Sequence, residues 1–308
     1  MNESPSLTLV IPTFNEAARL AQGLDRLRHA AEEGALDLDA TELLIVDDGS
    51  TDDTKLTAER LVARFPRASV IAHPRNLGKG AAVRTGILGA QGSLVAFADA
   101  DMAIDPSHLP ALLDALGRVP VAVGSRAVAG HVDYGSRLRT DAGRVFNLTV
   151  RLVSGVQLAD TQCGFKGFRR GAALLLAHLQ TTQGYAFDVE LLWLAQLLGL
   201  ELEVVPVTWL DVPGSTVRIV RDSTQMLVDL LASRRRSRWV AVADLDGLVP
   251  QHPPLGTVVL RSGSASLLCG SVSDLGGIRR AVRGEGHARI CSLRELVALA
   301  PFDLEASS

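Results

Sequence analysis

The chain predicts an α/β fold, a mostly parallel sheet with helices on both faces. Three features point there. Between residues 7 and 125, short apolar runs alternate with stretches of helical period. The apolar runs show no polar alternation, the pattern of strands buried on both faces. Strand and helix follow each other strictly, as helical crossovers between parallel strands require.

Taken in order, Thr8–Ile11 is a strand closed by Pro12, and PTFNE leads into a helix over Glu16–Glu33 with Leu20, Leu24, Leu27, Ala30 and Ala31 at helical spacing. Glu42–Val46 is the second strand. It ends in DDGSTDDT, with a tight turn at Gly49, Ser50 or Thr51 as helix N-cap, and Asp52 and Asp53 in a first turn where the helix dipole favours acids. That helix should reach about Phe65, and Ser69–Ala72 is the third strand. NLGKGAAVRTG then opens a helix over Lys79–Gly89. Leu94–Ala98 is the fourth strand, Pro106–Leu116 a helix, and Pro120–Val123 a fifth strand ending in GSR.

The second half is less regular. Leu138–Ser154 reads as an amphipathic helix carrying Arg139, Arg144 and Arg151, and Asp160–Phe168 (DTQCGFKGF) as a glycine-rich loop. Phe187–Leu198 and Asp222–Ala232 read as helices with a strand, Leu202–Trp209, between them. The basic run Arg234–Arg238 (RRRSR) marks a boundary that divides the chain into residues 1–233 and 239–308. The latter read as a small α/β appendage, with strands at Trp239–Ala243 and Thr257–Arg261 and helices at Ser273–Val282 and Ser292–Ala300.

Composition excludes several classes. A formal net charge of -3 gives no electrostatic footprint for nucleic acid. Cys163, Cys269 and Cys291 are odd in number and lack metal-ligand spacing, so a reducing, cytoplasmic setting is expected. The start MNESPSLTLVIP lacks the basic head and apolar core of a signal peptide. No run approaches the roughly 18 unbroken apolar residues of a membrane span, so contact with a membrane is expected only at its surface.

The chemistry gathers at strand ends. Asp99 and Asp101 lie two residues apart at the end of an apolar strand, so their carboxylates share a side. That sheet edge is where ligands bind in open α/β folds. Two hard carboxylates suit Mg²⁺ or Mn²⁺ held partly by substrate phosphates. A lone pair of this kind is common as an acidic turn. Here Asn15, Glu16, Asp47 and Asp48 end two other strands at the same edge, with the Lys79 loop between, and crowded carboxylates repel unless cations sit among them. An activated nucleotide-diphosphate sugar with its metal fits that demand. Other motifs fail: GKG is not a Walker loop, DLDG at Asp244–Gly247 lacks the remaining calcium ligands, and no HExxH or GxSxG occurs.

VIPTFNE, VDDGSTDDT, NLGKGAAVRTG and ADADM, in this order and spacing, resemble the inverting family 2 glycosyltransferases of GT-A (Rossmann-like) fold. DTQCGFKGF, AFDVELLWLAQ and TWLDVPGSTVRIVRDSTQMLVDLL resemble one branch, the polyprenyl-phosphate sugar synthases, with dolichyl-phosphate β-glucosyltransferases nearest and mannose synthases next. The resemblance spans about Leu7–Ala232. It implies transfer of a hexose, glucose from UDP-glucose, with inversion onto a polyprenyl phosphate. By position it implies that Pro12, Phe14, Glu16 and Asp48 hold base and ribose. Lys79, in its glycine-bearing loop, either reaches a phosphate or the base or simply opens a helix. Asp99 and Asp101 would hold Mg²⁺ or Mn²⁺ on the diphosphate. Arg126 and Arg139 would bind donor or acceptor phosphate, and Gln162 would shape the sugar pocket.

Alternatives to this reading are GDP-mannose as donor, a soluble acceptor, or a non-catalytic nucleotide-sugar-binding regulator. Met102 and Ala103 replace the Leu-Gln pair common after this motif in mannose synthases, so fewer protein ligands to the metal are expected. The membrane helices frequent at one end of such synthases are missing from the sequence, which leaves a peripheral surface or another protein to deliver the acceptor. Asp188, at the start of an apolar helix, would orient the acceptor or fix arginines, because a phosphate acceptor is already anionic and needs no general base. Glu190 follows one half-turn later. RRRSR, after a helix with Met226, Leu227, Leu230 and Leu231 on one side, would meet anionic headgroups.

Overall fold

The computed structural model describes residues 4–126, 155–156, 158–210, 219–235, 239–244, 258–262, 265–270, 288–293, 296 and 303–305. The helix expected over residues 138–154, with Arg139, lies outside them, as do the expected helix over 273–282 and most of that over 292–300.

Seven strands form one sheet in the order β3-β2-β1-β4-β6-β5-β7. β1 (Leu7–Thr13), β2 (Thr41–Asp47), β3 (Ala68–Ala72) and β4 (Leu94–Ala98) are parallel. β5 (Val121–Ser125) and β7 (Leu202–Pro206) pair in parallel, and β6 (Phe165–Arg169) runs antiparallel between β4 and β5. α1 (Ala17–Glu32), α2 (Thr54–Val62) and α4 (Leu109–Arg118) cover one face. α3 (Lys79–Gly89), α5 (Arg170–Leu179) and α6 (Phe187–Leu197) cover the other. α7 (Ile219–Arg235) packs on α6 through Leu230 and Val189.

β1, β2 and β4 are buried almost throughout, the condition under which a strand loses its alternation. α3 spans the residues expected for it. Three expectations are corrected. Half of the supposed loop 160–168 is β6, a central strand. Its glycine at 167 lets α4 approach: a Cβ there would meet Leu116 Cδ1 at 2.9 Å. Phe165 and Phe168 fill opposite cores, as alternation in a strand demands. α5 was not anticipated at all; nine of the ten residues of RGAALLLAHL are buried.

The third correction concerns the N-cap of α2, which lies at Asp53 rather than at Ser50 or Thr51. Ser50 Oγ instead accepts the Asn15 amide, and the Thr51 amide donates to Asn15 Oδ1. Asp52 Oδ1 takes the Thr54 amide and hydroxyl.

A second sheet, β11-β8-β10-β9-β12, is antiparallel throughout: β8 (Trp239–Asp244), β9 (Val258–Ser262), β10 (Ala265–Gly270), β11 (Ala288–Ser292) and β12 (Asp303–Glu305). Its Cys269 and Cys291 join the hydrophobic cluster that contains α5, so α5 is packed between two sheets. All three cysteines are buried. Among the described residues no helix is long and apolar enough to cross a membrane.

Candidate active site

The parallel strands β1, β2 and β4 deliver their polar ends to one edge of the sheet. After β4 the chain turns sharply. The Met102 amide donates to Asp99 O (2.9 Å), the Ala103 amide donates to Asp101 Oδ1 (3.1 Å), and Met102 adopts φ 45°. Gly23 lets α1 press against this turn, since a Cβ there would stand 2.0 Å from Ala100 O. Arg26 on the same helix donates to the Asp101 and Met102 carbonyls. The turn is therefore set by packing and backbone hydrogen bonds, and it presents both carboxylates on the ligand edge. The Met102 and Ala103 side chains are buried, Met102 within the hydrophobic cluster that contains Leu20 and Leu24 of α1.

Each carboxylate meets a cation of the chain. Lys79, first residue of α3, bonds Asp99 Oδ1 at 2.5 Å. Arg19 on α1 bonds Asp101 Oδ2 at 2.5 Å and Glu16 Oε1 at 2.8 Å. Burial alone would lower the Lys79 pKa, but the charges of Asp99 and Asp188 outweigh it and hold the ammonium well above its ordinary value. Burial raises the Glu16 pKa, Arg19 opposes, and the Asp99 and Asp101 charges push it up further.

The Asp99 carboxylate lies against Gly164, where no side chain fits: a Cβ would fall 2.2 Å from Asp99 Oδ2. The two aspartates form a hard oxygen donor pair at an open edge, suited to Mg²⁺ or Mn²⁺ whose other ligands are phosphate and water. No cluster of three or more acidic, histidine or cysteine side chains able to hold a metal occurs among the described residues.

Asp48 is placed differently from its expected role at base and ribose. Its carboxylate is almost wholly buried and accepts the Leu77 amide (2.9 Å), the Gly78 amide (2.7 Å) and His73 Nδ1 (2.7 Å). With Nδ1 donating to a carboxylate, His73 Nε2 is left to accept from Thr85 Oγ1 at 2.9 Å. Asp48 thus shapes the loop that carries Lys79. Gly78 in that loop has φ 107°, a region closed to most side chains, and a Cβ would strike Gln183 O at 2.5 Å.

The same loop is held from outside by residues 180–184. Gln183 O accepts the Ala81 amide, and Gln180 Nε2 donates to Gly80 O. Glu190, fully buried, secures that outer loop by accepting from the Thr181 amide and hydroxyl, the Thr182 amide and Ser233 Oγ of α7.

Asp188 was expected to orient the acceptor or fix arginines; the partner it holds is a lysine. Lys166, fully buried on β6, donates to Asp188 Oδ1 (2.7 Å) and to Cys163 O (2.6 Å), and stands 5.6 Å from the centre of the Phe97 ring. Burial raises the Asp188 pKa, with the Lys166 and Lys79 charges opposing.

Arg126 makes a two-pronged pair with Asp160, Nε–Oδ2 2.7 Å and Nη2–Oδ1 2.9 Å. Gln162 Nε2 donates to Met226 Sδ on α7. Phe14, at the end of β1, is exposed at 39%, whereas Pro12 is buried within the strand.

The Arg126–Asp160 pair contributes to stability at acid pH. Burial would raise the Asp160 pKa, but the bonds and charge of Arg126 lower it below the ordinary aspartate value. A depressed folded-state pKa contributes stability that is present above the unfolded pKa, about 4, and is lost as pH falls through the folded value. Asp160→Asn removes that contribution. The gap between its melting temperature and that of the parent should be constant from neutral pH down to about 5 and close below about 4. A gap unchanged to about pH 2 contradicts this.

Sequence reasoning passed over Arg19, Lys166 and Gly164. Arg19 was findable, three residues after Glu16 on a helix start, a spacing that brings side chains together. Lys166 was detectable as a charge inside an apolar run, which demands a buried partner. Nothing in the sequence marks Gly164, because its neighbour Asp99 is 65 positions away.

The profile of Glycosyl transferase family 2 matches residues 8–174. The chain is 34% identical over 254 residues to dolichyl-phosphate beta-glucosyltransferase of Saccharomyces cerevisiae, covering 76% of this chain and 75% of that one. It is 33% identical to the Homo sapiens protein of the same description, covering 76% and 77%. Among solved structures, its fold is similar to glucosyl-3-phosphoglycerate synthase of Mycobacterium tuberculosis, crystallised with Mn²⁺, UDP and glucosyl-3-phosphoglycerate (TM-score 0.56, 20% identity, 85% of this chain and 86% of that one). The seven-stranded sheet is accordingly GT-A-like.

Proposed function

This chain belongs to glycosyl transferase family 2, and we propose that it transfers glucose from UDP-glucose, with inversion, to the phosphate of a polyprenyl carrier. One observation carries the reading. Asp99 paired with Lys79, and Asp101 paired with Arg19, follow β4 in a chain one-third identical, over three-quarters of its length, to dolichyl-phosphate glucosyltransferases. Acidic and basic groups in contact there suit a diphosphate with a divalent cation.

In this reading Phe14 offers an exposed ring to the base. Pro12 and Glu16 border the same edge, and Asp48 acts through the Lys79 loop it organises. Mg²⁺ or Mn²⁺ on Asp99 and Asp101 would serve as Lewis acid toward the leaving diphosphate. An acceptor phosphate oxygen attacks the anomeric carbon from the face opposite UDP. The new C–O bond forms as the bond to the diphosphate oxygen breaks, and UDP leaves with the electron pair. The nucleophile is an anion, so no proton needs removing, in keeping with an Asp188 committed to Lys166. Arg126 and Arg139 would receive acceptor phosphate, for which guanidinium has matching geometry. Gln162 borders the sugar pocket.

A polyprenyl-phosphate acceptor would hold the enzyme peripherally at the cytoplasmic face of a membrane. Met226 and Leu230 of α7 are buried, so they do not form the contact. Val228 (59% exposed) and Leu231 (46%) stand one turn apart on the outer side, and the basic run Arg234–Arg238 follows. Attraction to anionic headgroups adds about 1 kcal/mol per basic residue.

The test is a donor panel with Mn²⁺, with and without polyprenyl phosphate in anionic vesicles. Glucose transfer from UDP-glucose that needs the lipid phosphate is expected. Faster transfer from GDP-mannose, or equal transfer without the lipid, rejects the reading. Val228→Asp with Leu231→Asp should lower vesicle binding about tenfold, the equivalent of 1.4 kcal/mol. Unchanged binding removes α7 from the membrane contact.

A further inference from the structure

The two carboxylates of the site are neutralised by the chain itself, and the two cations that do so are held very differently. Arg19 is braced. Its two terminal nitrogens bond Glu16 and Asp101, and it sits within α1. Among the described residues the Lys79 ammonium bonds Asp99 alone, and it sits on a flexible four-carbon stem. The backbone beneath it is pinned: Asp48 holds the Leu77 and Gly78 amides, and Gln183 O holds the Ala81 amide. Any movement of Lys79 is therefore confined to its side chain. The contact is also open, with the side chains of Lys79 and Asp99 exposed at 24% and 38%, so an incoming ion can reach the carboxylate.

We infer that Lys79 is an exchangeable internal counter-ion, which neutralises Asp99 in the metal-free protein, is displaced when a divalent cation takes that carboxylate, and then meets the donor diphosphate. Arg19 stays on Asp101 as the fixed counter-ion. Two positive groups cannot share one Asp99 oxygen without strong repulsion, so the ammonium and the metal compete. The diphosphate supplies the negative charge that receives the displaced lysine. Metal and nucleotide therefore load cooperatively through one side chain. The last step rests on the nucleotide-sugar reading above, whereas the competition for Asp99 rests only on the geometry of the pair and on a metal at the two aspartates.

The test measures Mn²⁺ binding to the full chain without nucleotide, by the loss of the free-ion electron paramagnetic resonance signal at low salt. Lys79→Met should bind Mn²⁺ about tenfold more tightly than the parent, and Lys79→Arg, which keeps the charge, should bind within about twofold of it. Calorimetry with UDP should show the addition of Mn²⁺ tightening UDP binding less in Lys79→Met than in the parent. Lys79→Gln repeats the comparison with an uncharged side chain that still hydrogen-bonds Asp99, so the charge is tested even where the methionine variant folds poorly. Equal or weaker Mn²⁺ binding in the uncharged variants overturns the inference while leaving the donor reading standing. Absence of Mn²⁺ binding from parent and variants alike overturns the metal reading on which both depend.

Discussion

Gly164→Ala is expected to lower kcat/KM by about 100-fold while leaving the protein folded, a loss typical of a reacting group displaced by about 1 Å. The added Cβ would fall 2.2 Å from Asp99 Oδ2 and 2.6 Å from its Cγ, far inside contact distance. The carboxylate is the far end of a rotatable side chain, so it moves and the backbone does not. Gly164 is not in the left-handed region, and alanine fits its backbone without strain. The cost in stability should be about 1 kcal/mol, the ordinary size for a substitution that creates no cavity and buries no unpaired group. Steady-state transfer and thermal melting measured on one preparation check both halves. Parent activity would show that Asp99 is not held where it acts, and an unfolded variant would show that Gly164 serves the fold.

Asp101→Ala is expected to reduce transfer by about 1,000-fold, the scale of losing a preorganised electrostatic group that acts on a developing charge. Two things go at once. The oxygen pair loses one member, and Arg19 keeps its charge but loses one of its two partners. The Ala103 amide also loses its acceptor in a buried turn, which adds about 1–2 kcal/mol of destabilisation. Asp101→Asn keeps an oxygen for that amide, but it removes the charge and turns its amide nitrogen toward the Arg19 guanidinium, a second donor. It should match the alanine variant in lost activity and melt between that variant and the parent. Transfer by either variant at the parental rate refutes a metal at this site.

The same aspartates show where sequence reading succeeds. Asp99 and Asp101 were legible because everything that places them is local: an apolar strand, a two-residue spacing, a sheet edge. α3 was legible for the same reason, with its glycine-rich start and helical run in one stretch. β6 was not. FKGF carries glycine and a charge, both of which lower strand propensity, and it becomes a strand only because β4 and β5 leave a slot between them. α5 was also missed. It is buried along nearly its whole length because one sheet lies on each flank of it, and the second sheet follows in sequence.

The partners of the charged groups divide in the same way. That a lysine inside a buried strand needs an anion is dictated by the cost of an unpaired buried charge. That the anion is Asp188, 22 positions on, depends on α6 crossing over β6. That Asp48 would be structural rather than ligand-facing depends on the path of loop 73–79 around it.

The sequence by itself determined the α/β class, the parallel strands β1 to β4 and the placing of acidic residues at their C-terminal ends, because short-range hydrophobic period and spacing are sufficient for these. Only the tertiary structure decided which charges meet. It set Lys79 on Asp99, Arg19 on Asp101, Lys166 on Asp188 and Gly164 beneath Asp99. Those contacts join segments up to 82 residues apart, and electrostatic energy depends on distance in space, which no local pattern encodes.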